Sequence, residues 1–173
     1  NGNQNEVLRV LKDIDPEGYF SSRLVGRSSY RVYELALDIV AEAKDSLGTD
    51  LKPNKTTLIP ESSILRAYQL LDQNLQDMPF HAAEIHLHVL TAMLFNDFKF
   101  KETMIFLVNY GRDNDTTAAI AGAILGAYHG YAQLPIEMRE QVEKVNDELL
   151  DINLEKLAEK QINNTLSLYL WPD

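Results

Sequence analysis

Asp113 and Asp115 stand one residue apart at the head of a run of small apolar residues, 118–127, and this pairing limits how the chain can fold. Two carboxylates so close repel one another, so burying them together is costly without a cation between them. The run of Ala, Gly, Ile and Leu reads as a helix that packs closely in a crowded core. Thr116 adds a hydroxyl. Carboxylate and hydroxyl oxygens on a short arc suit a hard divalent ion such as Mg²⁺ or Mn²⁺. The same residues are also good helix caps, and acids favour a positive helix end. That positive end works against a cation, so the cluster alone makes a weak ion site and needs further acids from elsewhere.

Almost all of the remaining sequence is patterned as helix. Val32, Leu35, Ala36, Ile39, Val40 and Ala43 recur at three- and four-residue steps behind Ser28 and Ser29, either of which suits an N-cap. Gly48 suits the C-cap of that helix. Asp15-Pro16-Glu17-Gly18 has turn chemistry, and 49–60 is a polar connector, the expected internal loop. Helices are expected from about Pro60 through Leu75, from Phe80 to Phe95, and from Lys101 to Asn109. The small-residue helix follows and closes at Tyr128-His129-Gly130. Another opens with Pro135 at its first position, and the last begins around Asn153. Residues 104–108 form the one strand-like stretch, which a buried helix explains equally well. The expectation is an all-α protein, a compact multi-helix bundle in a single domain over 1–173.

At 173 residues the chain has the length to bury a sizeable core. A net charge of −10 argues against nucleic acid or an anionic membrane as partner. Without cysteine there are no disulfides, thiolate metal ligands or Cys nucleophile. No apolar run is long enough to span a bilayer, and no signal segment is visible, which gives a cytoplasmic expectation. The polar lead-in 1–5 resembles a domain junction, so the chain is expected to be the C-terminal portion of a longer protein.

Spacing tests three readings of the acidic cluster. An EF-hand loop starting at Asp113 needs Gly at its sixth position and Glu at its twelfth, but these are Ala118 and Ile124. A haloacid-dehalogenase-type phosphatase fits Asp113, Asp115 and Thr117 with 104–108 as the strand, yet the helical pattern downstream lacks its alternating strands. The third reading is a family resemblance. Gly111, Asp113, Asp115 and Thr116, then the small-residue helix, the Gly130 close and the Pro135 start, resemble the C-terminal motif of the ADP-ribosylglycohydrolase family. The likeness is densest over 82–138.

The resemblance implies an all-α fold, a pair of Mg²⁺ or Mn²⁺ ions, and cleavage of a glycosidic bond to ADP-ribose. Its substrate would be an ADP-ribose-containing small molecule or an ADP-ribosylated protein. By position, Asp113, Asp115 and Thr116 would be metal ligands, with Gly111, Arg112 and Asn114 beside the substrate. Arg112 stands where the family commonly has a small residue, often Gly, and its guanidinium has two expected roles: pairing with a neighbouring Asp or reaching a pyrophosphate. The family's first-half Asp-Asp motif is absent, since the chain has no adjacent Asp pair. The bundle is therefore expected to be incomplete, with the missing N-terminal half as a partner and with weak ion binding and no turnover in isolation. The alternative is a non-catalytic helical interaction module of the same fold.

His81, Glu84 and His88 fall on one helix face, a spacing that admits Zn²⁺. Without a His-Glu-x-x-His pattern, a satisfied core face is the better reading. His129 is expected to cap the negative end of the small-residue helix, and 143–159 reads as a solvated charged face.

Overall fold

One helix in this chain is apolar on nearly every side, and the rest of its unit is arranged around it. The computed structural model describes residues 3–13, 28–45, 61–78 and 81–169. Among these it has eight α-helices, one 3₁₀ turn and no strand, the all-α architecture that the periodicity predicts. The expected turn at 15–18, the Gly48 cap, the 49–60 loop and Pro79 lie outside the described residues.

The chain folds as two compact units, Asn1–Ala132 and Gln133–Asp173. In the first unit, α1 (Gln4–Asp13), α2 (Ser28–Asp45), α3 (Glu61–Asp72), α4 (Ala82–Phe95), α5 (Phe100–Tyr110) and α6 (Asn114–His129) follow in order. Helix α4 packs against α2, α5 and α6, while α3 and α1 pack on α2. Its Leu87, Val89, Leu90, Ala92, Met93, Leu94 and Phe95 are all buried. A helix apolar all round is stable in water only when neighbours cover it, as three do here. Each large side chain so buried contributes about 1.5–3 kcal/mol.

Helix α6 departs from expectation. Its small residues suggest a helix packed closely in a crowded core, but only the stripe Thr117, Ala121 and Leu125 is buried. That stripe repeats every four residues, so it covers one face; Ile120 and Ile124, on another, are 39% and 41% exposed. The core helix is α4 instead. The strand-like stretch 104–108 lies inside α5, which removes the strand that the phosphatase reading requires.

Tight turns join α4, α5 and α6. After α4, Asn96 folds back with Nδ2 on the Ala92 carbonyl at 2.8 Å, and Asp97 and Phe98 take positive φ. His129 sits in the last turn of α6, but its Nε2 meets the Phe98 carbonyl at 2.7 Å. The ring therefore ties α6 to the turn after α4 instead of capping its own helix. Gly130, at φ +79°, is the C-cap of α6, as its place in the sequence predicts.

In the second unit, α7 (Ile136–Leu150) and α8 (Leu154–Tyr169) form a pair. Pro135 is the N-cap of α7, one position earlier than expected. Asp151 ends α7 in the left-handed conformation, and Asn153 Oδ1 accepts from Lys156 N at 2.8 Å to start α8. The charged residues of 143–159 are all exposed, as their pattern predicts. Among the described residues no helix is long and apolar enough to cross a membrane.

Candidate metal centre at the α5–α6 elbow

The site is the bend between α5 and α6. Helix α5 stops at Gly111, whose φ of +87° and ψ of −135° lie where a Cβ is not tolerated. Arg112 follows at φ +58°, an uncommon conformation for a long L-residue. Asp113 then takes the N-cap position, Asn114 opens α6, and Asp115 and Thr116 fall in its first turn. The fold thus brings all six residues singled out in the sequence into one elbow.

The N-cap carboxylate is not used as a cap. Asp113 makes no side-chain capping bond, although Asp is among the best residues for it. Asp113 is half-buried and Asp115 exposed; Thr116 is half-buried. The first helical bond runs from Thr117 N to the Asp113 carbonyl at 3.1 Å. Asn114 spends its Nδ2 on the Val108 carbonyl at 3.3 Å, near the end of α5. The donors left at the elbow are hard oxygens, which fit Mg²⁺ or Mn²⁺ by type. Two carboxylates and a hydroxyl are fewer than the six oxygens such an ion takes. Among the described residues, no group of three or more acids or histidines is placed to hold a metal.

Arg112 points elsewhere. Its Nε donates to Glu84 Oε1 at 2.9 Å, and its Nη2 donates to Glu84 Oε2 at 3.2 Å and to the Gln76 carbonyl at 3.1 Å. Gln76 N donates to Glu84 Oε2 at 2.7 Å. The guanidinium thus pairs with α4 rather than with Asp113 or Asp115. Glu84 is 1% exposed. Burial alone pushes its carboxyl up, but the hydrogen bonds from Arg112 and Gln76, with the charges of Arg112 and His88, hold it below the usual carboxylate range.

Around this pair lies a further polar cluster. Tyr110 donates its hydroxyl to Asp72 Oδ1 at 3.0 Å, and burial, then the Asp72 bond and charge, push its phenol well up. His88 packs edge-on to Tyr110 with ring centroids 4.8 Å apart. It is buried, and its Nε2 has no hydrogen-bond partner among the described residues. Burial lowers its pKa most, and Arg112 adds to that against the opposing charges of Glu84 and Asp72. The expected His81–Glu84–His88 face divides accordingly. His81 is the exposed N-cap of α4, accepting from Ala83 N at Nδ1 (3.2 Å), while Glu84 is fully engaged by its ion pair.

Sequence reasoning did not find the Glu84–Arg112 pair. The visible signals were a charged residue in an otherwise apolar helix and an Arg in place of a small residue in the motif. The two are 28 positions apart, a separation that no helical spacing links.

The ADP-ribosylglycohydrolase family model matches residues 8–167, nearly the whole chain and well beyond the densest stretch of the motif. The chain belongs to the ADP-ribosylglycohydrolase family, an all-α family of hydrolases. Neither a curated protein nor a solved structure matches it.

Proposed function

We propose that this chain contributes the C-terminal half of the ion site of a metal-dependent glycohydrolase acting on an ADP-ribosyl bond. The observation that carries the reading is the elbow. Asp113 and Asp115 flank a helix start that Asp113 does not cap with its side chain, which leaves its oxygens for another use. Asp113, Asp115 and Thr116 would hold Mg²⁺ or Mn²⁺, two ions in the complete site. The ion would supply Lewis acidity and orientation at the ribose as the glycosidic bond breaks.

The chain's own residues would do the shaping. Gly111, lacking a Cβ, lets the backbone turn sharply; nothing stands within 4 Å of where that Cβ would be, so a ligand can approach the backbone there. Asn114 ties the start of α6 to the end of α5. Arg112, held on Glu84, gives rigidity; reaching a pyrophosphate would leave a buried carboxylate unpaired. Substrates of this class are an ADP-ribose-containing small molecule or an ADP-ribosylated protein.

The second reading is a non-catalytic helical module of the same fold. It is favoured by the small number of acidic donors at the elbow. A thermal-shift titration separates the two. In the full-length protein Mg²⁺ or Mn²⁺ raises the melting temperature and Asp115→Ala abolishes the rise, alongside release of free ADP-ribose from a modified protein. No ion-dependent shift and no release supports the module.

A further inference from the structure

We propose that Glu84 is a positioning residue for the ion-binding elbow: from α4 it grips Arg112 and so sets the directions in which Asp113 and Asp115 leave the chain. The inference rests on reading those two aspartates as ion ligands. Glu84 is not a ligand itself. Its carboxylate already accepts from Gln76 N, Arg112 Nε and Arg112 Nη2, and it is 1% exposed.

Two features make the elbow dependent on a clamp. Gly111 and Arg112 both have positive φ, at +87° and +58°. For Arg the left-handed region is disfavoured because Cβ crowds the following carbonyl. The bend therefore persists only if something outside it offsets that cost. Glu84 and Gln76 do so together: the guanidinium closes a ring with the Glu84 carboxylate and the Gln76 backbone. A planar fork gripping a carboxylate at two oxygens fixes the orientation as well as the distance of the Arg side chain.

The anchor is stiff and the clamped residue adjoins the first ligand. Glu84 stands on α4, whose residues 87–95 are all buried. Arg112 directly precedes Asp113, so any rotation about 111–112 that swings Asp113 must first break a partly buried ion pair. Sites of this kind tolerate displacements of about 0.5 Å before binding suffers.

The test uses Glu84→Gln in the full-length protein, with two readouts. In the metal-free protein, NMR hydrogen exchange reports the Thr117 amide, which bonds the Asp113 carbonyl at 3.1 Å. Its exchange should rise about 10-fold while the amides of Ala121 and Leu125 in the same helix stay unchanged, a local opening at the helix end. Mn²⁺ affinity, read by electron paramagnetic resonance, should fall about 10-fold, the usual cost of losing a partner that orients a ligand. Adding Arg112→Gly to Glu84→Gln should weaken Mn²⁺ no further, because both act through one contact. An unchanged Thr117 amide overturns the proposal. So does unchanged Mn²⁺ affinity in a protein whose binding Asp115→Ala removes, and so does an additive double variant. No Asp115-dependent Mn²⁺ binding in the unsubstituted protein instead sinks the ion-site reading, and this inference with it, before any Glu84 variant is made. If Glu84→Gln does not fold, Arg112→Lys keeps a positive charge opposite Glu84 but removes the fork. It should shift both readouts in the same direction, and no shift overturns the proposal.

Discussion

Exchanging Glu84 for Gln also has an energetic signature. The carboxylate accepts three hydrogen bonds, from Gln76 N at 2.7 Å and from Arg112 Nε and Nη2 at 2.9 and 3.2 Å. An amide of the same shape offers one oxygen and turns its NH₂ toward donors. A hydrogen bond to a charged group contributes about 1.5–3 kcal/mol; with the amide oxygen in the Oε2 place, which takes two of the three, the bond from Arg112 Nε is lost and the other two lose the negative charge. The Arg112 side chain is 29% exposed, so water recovers part of that loss. The net expectation is about 2 kcal/mol of destabilisation at pH 7, seen as a lower urea midpoint with an unchanged slope. Acid supplies the second half of the test. The folded carboxyl titrates below its ordinary value of 4.5 despite the upward push of burial, because Arg112 and Gln76 favour the charged form. A depressed folded pKa stabilises fully above the unfolded value and loses that contribution as pH falls through the folded value. The gap between the two proteins should therefore hold from pH 7 to about 5, begin to narrow below 4.5 and close as pH falls through the lower folded value. Equal midpoints at pH 7, or a gap that does not narrow as pH falls below 4.5, would refute the reasoning.

Three other outcomes are expected. Gly111→Ala forces a Cβ into a conformation reserved for glycine and should cost about 1–3 kcal/mol by urea unfolding. Gly122→Ala should do the opposite: its Cβ would lie 4.0 Å from Met104 Sδ, an ordinary contact, so the gain in helix propensity of about 0.5–1 kcal/mol should appear as a raised midpoint. Tyr68 donates its hydroxyl to the Phe106 carbonyl at 2.8 Å, and burial pushes its phenol up to about 12. Because the folded pKa exceeds the ordinary 10.0, stability is intact below that pH and falls as pH rises toward about 12; Tyr68→Phe should flatten this alkaline limb.

The sequence made the helices legible because their signal is local. Apolar spacing in 32–43, the Gly130 close and the Asn153 start each depend on neighbours within a few residues, and all reappear in the structure. The elbow was legible for the same reason, since 111–116 is contiguous. Periodicity could not say which helix the others would cover. Small side chains made α6 look like the buried one, whereas the role falls to α4, where Leu, Val, Met and Phe occupy every face. Nor could it reveal partners that only tertiary folding brings together. Arg112 found Glu84 and Gln76, and His129 found the Phe98 carbonyl, each across at least 28 residues. Both side chains carried a local expectation, pairing with a neighbouring Asp or capping their own helix. In each case a contact from another element won.

Divalent-ion binding at the elbow is the property on which the proposed chemistry depends. Mn²⁺ titration of the full-length protein, followed by electron paramagnetic resonance, reads it directly. The expected result is saturable binding that Asp113→Ala and Asp115→Ala each weaken at least about 10-fold, while Gly122→Ala leaves it unchanged. Binding of equal strength in both aspartate variants, or none in the unsubstituted protein, would contradict it.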